Sequence, residues 1–250
     1  MQKRVNLLNF SVDNLTLEDT LSKIDYIIDN RILTQHVVVN AGKAVLLQKD
    51  RKLREIINNC GLINADGQSI VWASKFLGSP LIERVTGIDL MEKLIERASV
   101  KGYSIFFFGA KEEAVIKVIK HYRNKYPNLK VAGYRNGYFE KEDEENIVKE
   151  IKNSNADILL VAFSSPLKEY WLSKYFDELS VPFQMGVGGS FDVIAGITKR
   201  APKWMQKYGL EWFYRFLQEP KRMWKRYLIG NSKFIYYVLK EKFKKKAKVS

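Results

Sequence analysis

The sequence predicts an α/β protein: a mainly parallel, doubly wound sheet with helices on both faces, followed by a basic helical appendage at the C-terminus. Three observations carry this expectation. Short apolar runs rich in β-branched and aromatic residues alternate with segments of helical periodicity. The apolar runs hold few polar positions, as strands covered on both sides require. From about Gly196 onward the composition changes to aromatic residues interleaved with Lys and Arg.

In chain order, the N-terminal MQKRVNLLNFSVDNLTLEDT has a short apolar stretch interrupted by Asn6 and Asn9 and no small-residue cleavage pattern, so it reads as part of the folded protein. Strands are expected at 36–40 (HVVVN), 61–66 (GLINAD), 103–110 (YSIFFFGA), 129–136 (LKVAGYRN), 157–165 (DILLVAFSS) and 181–189 (VPFQMGVGG). Helices are expected over 16–29, 42–59, 68–77, 87–101, 111–125, 142–153 and 167–179. In 111–125, Ala114, Val115, Val118, Ile119 and Tyr122 fall on one face and mark the side turned to the core. The tail is expected to form two helices broken near Pro220, because a proline ring does not fit a helix interior.

A chain of 250 residues has room for one α/β core, here 1–196, and an appendage, 197–250. Its single Cys60 excludes an internal disulfide, and one Cys with two His gives no metal-ligand spacing, so no metal is expected and a reducing cytoplasm fits. No run approaches the roughly 18 to 20 apolar residues of a spanning helix, which leaves peripheral contact as the expected way to meet a membrane.

The charge is concentrated. From Lys199 to Ser250 there are 16 Lys or Arg against three acids, whereas the preceding residues are nearly balanced. Trp204, Trp212 and Trp224 lie among these bases, a mixture suited to the boundary between lipid headgroups and hydrocarbon. Solvated helices packed on the core would carry the same charge, and so would a nucleic-acid surface, although polyanion binding alone needs less apolar bulk.

In a parallel sheet, ligands bind beyond the carboxyl ends of the strands. That singles out Asn40, Asp66, Gly109, the loop from Ser164 to Glu169 and the glycines after Met185. Asp66 suits either a turn and helix cap or a general base, and its position alone does not separate the two. The GVGGSFD run, 186–192, suits either phosphate approach to backbone N–H groups or a tight strand-to-helix turn. Neither it nor FFFGAKEE is a dinucleotide fingerprint, which disfavours a dehydrogenase. Arg200, Arg215, Arg222 and Arg226, with Lys221 and Lys225, form a basic set whose guanidiniums match phosphate geometry.

Taken in order, NADGQSIVWASKFLG, ERVTGIDLMEKL, FFFGA, GYRNGYFEKEDEE, SSPLKEYW and GVGGSFDVIAGITKRAPKWMQKYGLEWFYRFLQEPKRMWKRYL resemble the WecG/TagA/CpsF family of bacterial glycosyltransferases over roughly 36 to 230. The resemblance implies a Rossmann-like core and an inverting, metal-independent transfer with no cofactor. The expected donor is a UDP-sugar, N-acetylmannosamine or a relative, and the expected acceptor a sugar on a polyprenyl diphosphate, in cell-surface polysaccharide or teichoic acid synthesis. It implies Asp66 as the base. It places Asn40, Gly109, Ala110, Tyr138, Ser164, Lys168, Glu169, Gly186, Gly188, Gly189 and Asp192 at the donor, and Arg84, Thr86, Arg215, Arg222, Lys225 and Arg226 at the acceptor diphosphate.

Two departures stand out. Where many members have Thr-x-Asn, this chain has Val38-Val39-Asn40, and where they have Gly-Ala-Pro-Lys-Gln-Glu it has Ser164-Ser165-Pro166-Leu167-Lys168-Glu169. A cation in place of an amide leads to the expectation that Lys168 reads a different hydroxyl pattern or an acidic sugar. The expected location is cytoplasmic, peripheral on the anionic inner face of the cell membrane, with homo-oligomers left open and nucleic acid not expected as a partner. The alternative is a non-catalytic membrane- or polyanion-binding module on the same scaffold.

Overall fold

A computed structural model of the protein describes residues 4–224 and 228–246. The chain opens on an antiparallel hairpin, β1 (Arg4–Leu7) and β2 (Phe10–Asp13). Its two turn residues, Leu8 and Asn9, take φ of 46° and 69°, the positive pair that a tight hairpin turn demands. The sequence reading did not place this hairpin, since Leu8 is not a residue that announces such a turn.

There follow α1 (Leu17–Asp29), β3 (Thr34–Val39), α2 (Ala41–Lys49), α3 (Arg51–Asn59), β4 (Leu62–Ala65), α4 (Gln68–Phe76) and α5 (Gly87–Lys101). The chain continues through β5 (Ser104–Gly109), α6 (Glu112–Lys125), β6 (Lys130–Arg135), α7 (Glu144–Asn153), β7 (Ile158–Ala162), α8 (Leu167–Lys174), α9 (Phe176–Leu179), β8 (Phe183–Gly186) and α10 (Ser190–Ile194). The six strands β3 to β8 form one sheet in the order β4-β3-β8-β7-β5-β6, with every pairing parallel.

Alternation along the strands feeds two faces. Ile105, Phe107, Leu160 and Met185 pack with residues of α1, α5 and α6, whereas Phe106, Phe108, Leu159 and Val161 pack with α7 and α8. Val37, Val39 and Ile63 pack with α2 and α3. The expected doubly covered α/β sheet is what forms.

Helix 42–59 of the sequence reading is two helices. Asp50 ends α2, and its side chain accepts a hydrogen bond from the Leu53 N–H at 2.9 Å to start α3, a competition with the backbone that apolar periodicity does not reveal. The 167–179 segment is likewise split at Tyr175. The tail, expected as two helices, contains α11 (Lys203–Lys207), α12 (Glu211–Gln218), α13 (Pro220–Trp224) and α14 (Gly230–Lys246) among the described residues. The break expected near Pro220 is present: α12 ends before Glu219 and α13 starts at Pro220, whose missing N–H has no partner to lose at the first position of a helix.

Two further features position the molecule's surfaces. At the free side of β4, the Ile63 N–H donates to Asp13 Oδ2 (2.8 Å) and the Ala65 carbonyl accepts from the Val85 N–H (2.9 Å). Asp13 is itself held by Arg4 at 3.2 Å and Lys23 at 3.6 Å. At the other end of the chain, α14 returns to pack on α2, with Phe234 and Val238 buried in the same cluster as Val37 and Ile63. Ile235, Tyr236, Leu239 and Phe243 of α14 remain exposed.

Candidate active site

Because the core strands run parallel, their carboxyl ends share one edge, and the residues singled out above follow those ends. Asn40 leaves β3 and caps α2, its Oδ1 accepting from the Lys43 N–H at 3.1 Å. Asp66 leaves β4. It does not cap α4, whose N-cap is Gly67 with no side-chain hydrogen bond. Its Oδ1 accepts instead from the Gly87 N–H (3.2 Å), the first residue of α5, so it meets the start of a helix distant in sequence and not that of α4.

Part of Asp66 still reaches solvent, yet protein crowds it closely. Desolvation is the largest influence on its carboxyl and raises its pKa above the ordinary 3.8. Glu211 pushes the same way, while the Gly87 N–H, Lys43 and Arg215 oppose the rise. A carboxylate held this way accepts a proton more readily than a free aspartate.

Beneath Asn40 and Asp66 lies a buried charge group. Lys43 Nζ donates to the Val38 carbonyl (2.7 Å) and to Glu169 Oε1 (2.7 Å), and Lys168 Nζ meets the same Oε1 at 3.1 Å. Burial alone would raise the Glu169 carboxyl, but Lys43 and then Lys168 override it and hold it near 2. Burial and the Lys43 charge pull Lys168 down to about 8 against Glu169 and Asp66. Lys43 was missed by sequence reading. Its signal was a single base inside the apolar run AGKAVLL, on the side of the helix that faces the core.

The glycines of the next turn fit this group. A Cβ on Gly186 would stand 2.6 Å from Lys168 Cδ, so only glycine lets the lysine stem pass. Gly188, at φ +58°, lies beside Lys168 Nζ. Gly189 precedes α10, and the Asp192 carbonyl accepts from the Ile197 and Thr198 N–H groups, so what the structure shows of Asp192 is a turn contact.

The remaining donor-side residues are spread along the edge. Ser164 is exposed after β7, where its carbonyl accepts from the Lys168 N–H (3.1 Å). Gly109 and Ala110 end β5, four strands from β4, about 19 Å away at ordinary strand spacing. The Ala110 carbonyl accepts from the Gly137 N–H (2.8 Å), which brings the loop bearing exposed Tyr138 to the same end. The structure thus gathers Asn40, Asp66, Lys168, Glu169, Gly186 and Gly188 at one place and Gly109, Ala110 and Tyr138 at another.

The tail meets the core beside Asp66. Gly209 approaches Gln68 so closely that a Cβ would stand 2.8 Å from its side chain. Glu211 lies 3.4 Å from Arg84 and 3.5 Å from Arg200, and Arg200 also pairs with Asp89. Asp89 is fixed in turn by Thr86, whose hydroxyl donates to it at 2.6 Å. Arg84 and Thr86 also border a cavity of about 310 Å³ with Leu17, Glu83, Asp89 and Glu92, on a wall that does not include Asp66. Arg215, one turn beyond Glu211, is exposed and within electrostatic reach of Asp66. The Arg222 side chain, Lys225 and Arg226 lie outside the described residues.

Fold and site together define a Rossmann-like α/β protein whose ionisable groups converge at the carboxyl edge of its sheet, under a basic tail. The family model of the glycosyl transferase WecG/TagA/CpsF family matches residues 5–248. The chain belongs to that family. It is 36% identical to the N-acetylglucosaminyldiphosphoundecaprenol N-acetyl-beta-D-mannosaminyltransferase of Bacillus subtilis (strain 168), over 90% of this chain and 88% of the relative. With the enzyme of the same name from Staphylococcus aureus (strain MW2) the identity is 34%, over 98% of this chain and 96% of the relative.

Proposed function

We propose that the protein transfers N-acetylmannosamine or a related hexose from its UDP form to a sugar carried on a polyprenyl diphosphate, with inversion and without a metal. The observation that carries this reading is the partly open Asp66 carboxylate, raised in basicity by its surroundings and set between the glycine turn and the basic tail. The names of the relatives supply the sugars and the lipid.

In the proposed step Asp66 takes the proton of the acceptor hydroxyl as its oxygen attacks the anomeric carbon. The bond from that carbon to the β-phosphate oxygen breaks, and UDP leaves with the electron pair. Charge growing on the diphosphate is met by backbone N–H groups of the Gly186–Gly189 turn and by nearby cations. The donor lies along the carboxyl edge, its sugar toward Asp66 and its nucleoside toward Gly109 and Tyr138. Arg84, Thr86, Arg215, Arg222, Lys225 and Arg226 are proposed to face the acceptor diphosphate.

Attachment is proposed to be peripheral, on the cytoplasmic face. Among the described residues no helix is long and apolar enough to cross a bilayer. The tail nevertheless exposes Trp204, Tyr208, Leu217, Ile235, Leu239 and Phe243 among its bases, a surface suited to the headgroup boundary.

The test is UDP release and product mass with UDP-N-acetylmannosamine and a short-chain diphosphate-lipid acceptor. Asp66→Asn is expected to bind UDP normally and lose at least about a hundredfold in rate, the low end for general base catalysis. Near-normal turnover in that variant would move the base to another residue.

A further inference from the structure

We propose that Lys168 Nζ and the backbone of the Gly186–Gly189 turn form a subsite for a phosphoryl anion, which fills the donors that the protein partners of Lys168 leave open. The inference rests on the donor reading above for its natural occupant, the diphosphate of the nucleotide sugar.

The first support is a charge count. Two ammonium groups share one carboxylate, and the three side chains are only 4%, 2% and 9% exposed for Lys43, Glu169 and Lys168. Within that buried trio the positive charge exceeds the negative by one, and the further carboxylate facing Lys168, that of Asp66 at the end of β4, offsets it through space, with no hydrogen bond between the two among the described residues. Lys43 is not the group that turns outward, because it already serves Val38 and Glu169.

Lys168 is placed differently. An ammonium has three donors, and among the described residues Lys168 Nζ has one acceptor, Glu169. Its stem runs through the volume that a side chain on Gly186 would fill, and its nitrogen emerges beside Gly188, 3.8 Å from where a Cβ there would stand. A missing pair of side chains, a positive φ at Gly188 and a lysine with spare donors thus meet at one point. That combination suits tetrahedral phosphoryl oxygens, which accept from an ammonium and from backbone N–H groups together.

Three charged groups face Lys168: Lys43 from α2, Glu169 from α8 and Asp66 from the end of β4. The balance, led by burial, leaves the lysine losing its proton at about 8, so the subsite weakens as pH rises through that value.

The experiment is calorimetric binding of UDP, uridine and inorganic pyrophosphate to the full chain and to Lys168→Met, from about pH 7 to about pH 9.5 around that value. The substitution is expected to weaken UDP and pyrophosphate about tenfold or more, as removal of one charge-assisted hydrogen bond would, and to leave uridine unchanged. Wild-type affinity for both phosphates is expected to decline above about pH 8, and the variant's to stay flat. The variant's melting temperature is expected to stay close to that of the wild type, since Glu169 keeps Lys43 and a buried ammonium no longer has to be desolvated. Lys168→Gln provides a second neutral side chain should Met perturb the fold.

Wild-type UDP and pyrophosphate affinity in both variants, with the same pH dependence, overturns the subsite while leaving the donor reading intact. A deficit seen only with nucleotide sugars bearing a sugar carboxylate assigns Lys168 to the sugar and overturns the diphosphate assignment. Lys168-dependent pyrophosphate binding in a protein that ignores UDP keeps the subsite and removes the donor reading.

Discussion

If Asp66 is the base proposed above, its surroundings set both rate and stability. Its folded carboxyl pKa is raised, chiefly by burial, so the ionised form that the proposed step requires is less favoured in the native state than in the unfolded chain. The cost is present above the folded pKa and vanishes below the unfolded value near 3.8. Asp66→Asn is therefore expected to melt at the same or a higher temperature at neutral pH, by calorimetry, while its rate collapses. Glu211 adds to the rise, so Glu211→Gln is expected to move the acid limb of the kcat/KM profile to lower pH. An unmoved limb would place Glu211 outside the electrostatic environment of the base.

The same residue marks what the sequence made legible. Its place after an apolar run put it at the carboxyl edge, and the family resemblance suggested a role. That Gly67 and not Asp66 begins α4, and that the carboxylate turns to Gly87, depends on a contact across 21 residues that no local pattern records. Lys168 and Glu169 were noted as neighbours in a loop, but their buried partner Lys43 lies 126 residues from Glu169. The clasp of Glu211 on Arg84 and Arg200 is of the same kind, built from charges that read singly as solvated surface.

At the scale of elements, the sheet was legible because both of its faces are apolar, and the helices because their stripes are long. What escaped were breaks such as that at Asp50, where one polar side chain decides. The turn after β8 offers a direct test of the packing described there. Gly186→Ala is expected to push the Lys168 stem aside, with a stability loss of about 1–3 kcal/mol in denaturant titration, typical of overpacking. Combining it with Lys168→Ala is expected to recover most of that loss, since the colliding atoms are then absent. Helix α14 offers another. Phe234→Ala is expected to cost about 3–5 kcal/mol, as for a buried core aromatic and not for a solvated tail.

For the whole molecule, the charge imbalance and the fold divide the work. The core is almost neutral and the tail nearly all base, yet α14 is anchored in the core through Phe234 and Val238. Replacing Ile235, Leu239 and Phe243 together by Ser is accordingly expected to leave the melting temperature within a few degrees and to abolish sedimentation with anionic liposomes. Unchanged sedimentation would place the lipid contact elsewhere. Binding by the wild type is expected to weaken with added salt, because exposed charges are screened over about 10 Å at 0.1 M ionic strength.

An unsatisfied strand at the border of a sheet invites a neighbouring copy to stack on it. The Asp13 carboxylate and the Val85 amide occupy the outward-facing Ile63 N–H and Ala65 carbonyl of β4, which removes one donor and one acceptor that a second copy would need to zip onto that border. The opposite border, β6, is half-exposed and flanked by the charges of Lys130 and Arg135. Both borders of the sheet are thus guarded against edge-to-edge pairing between copies.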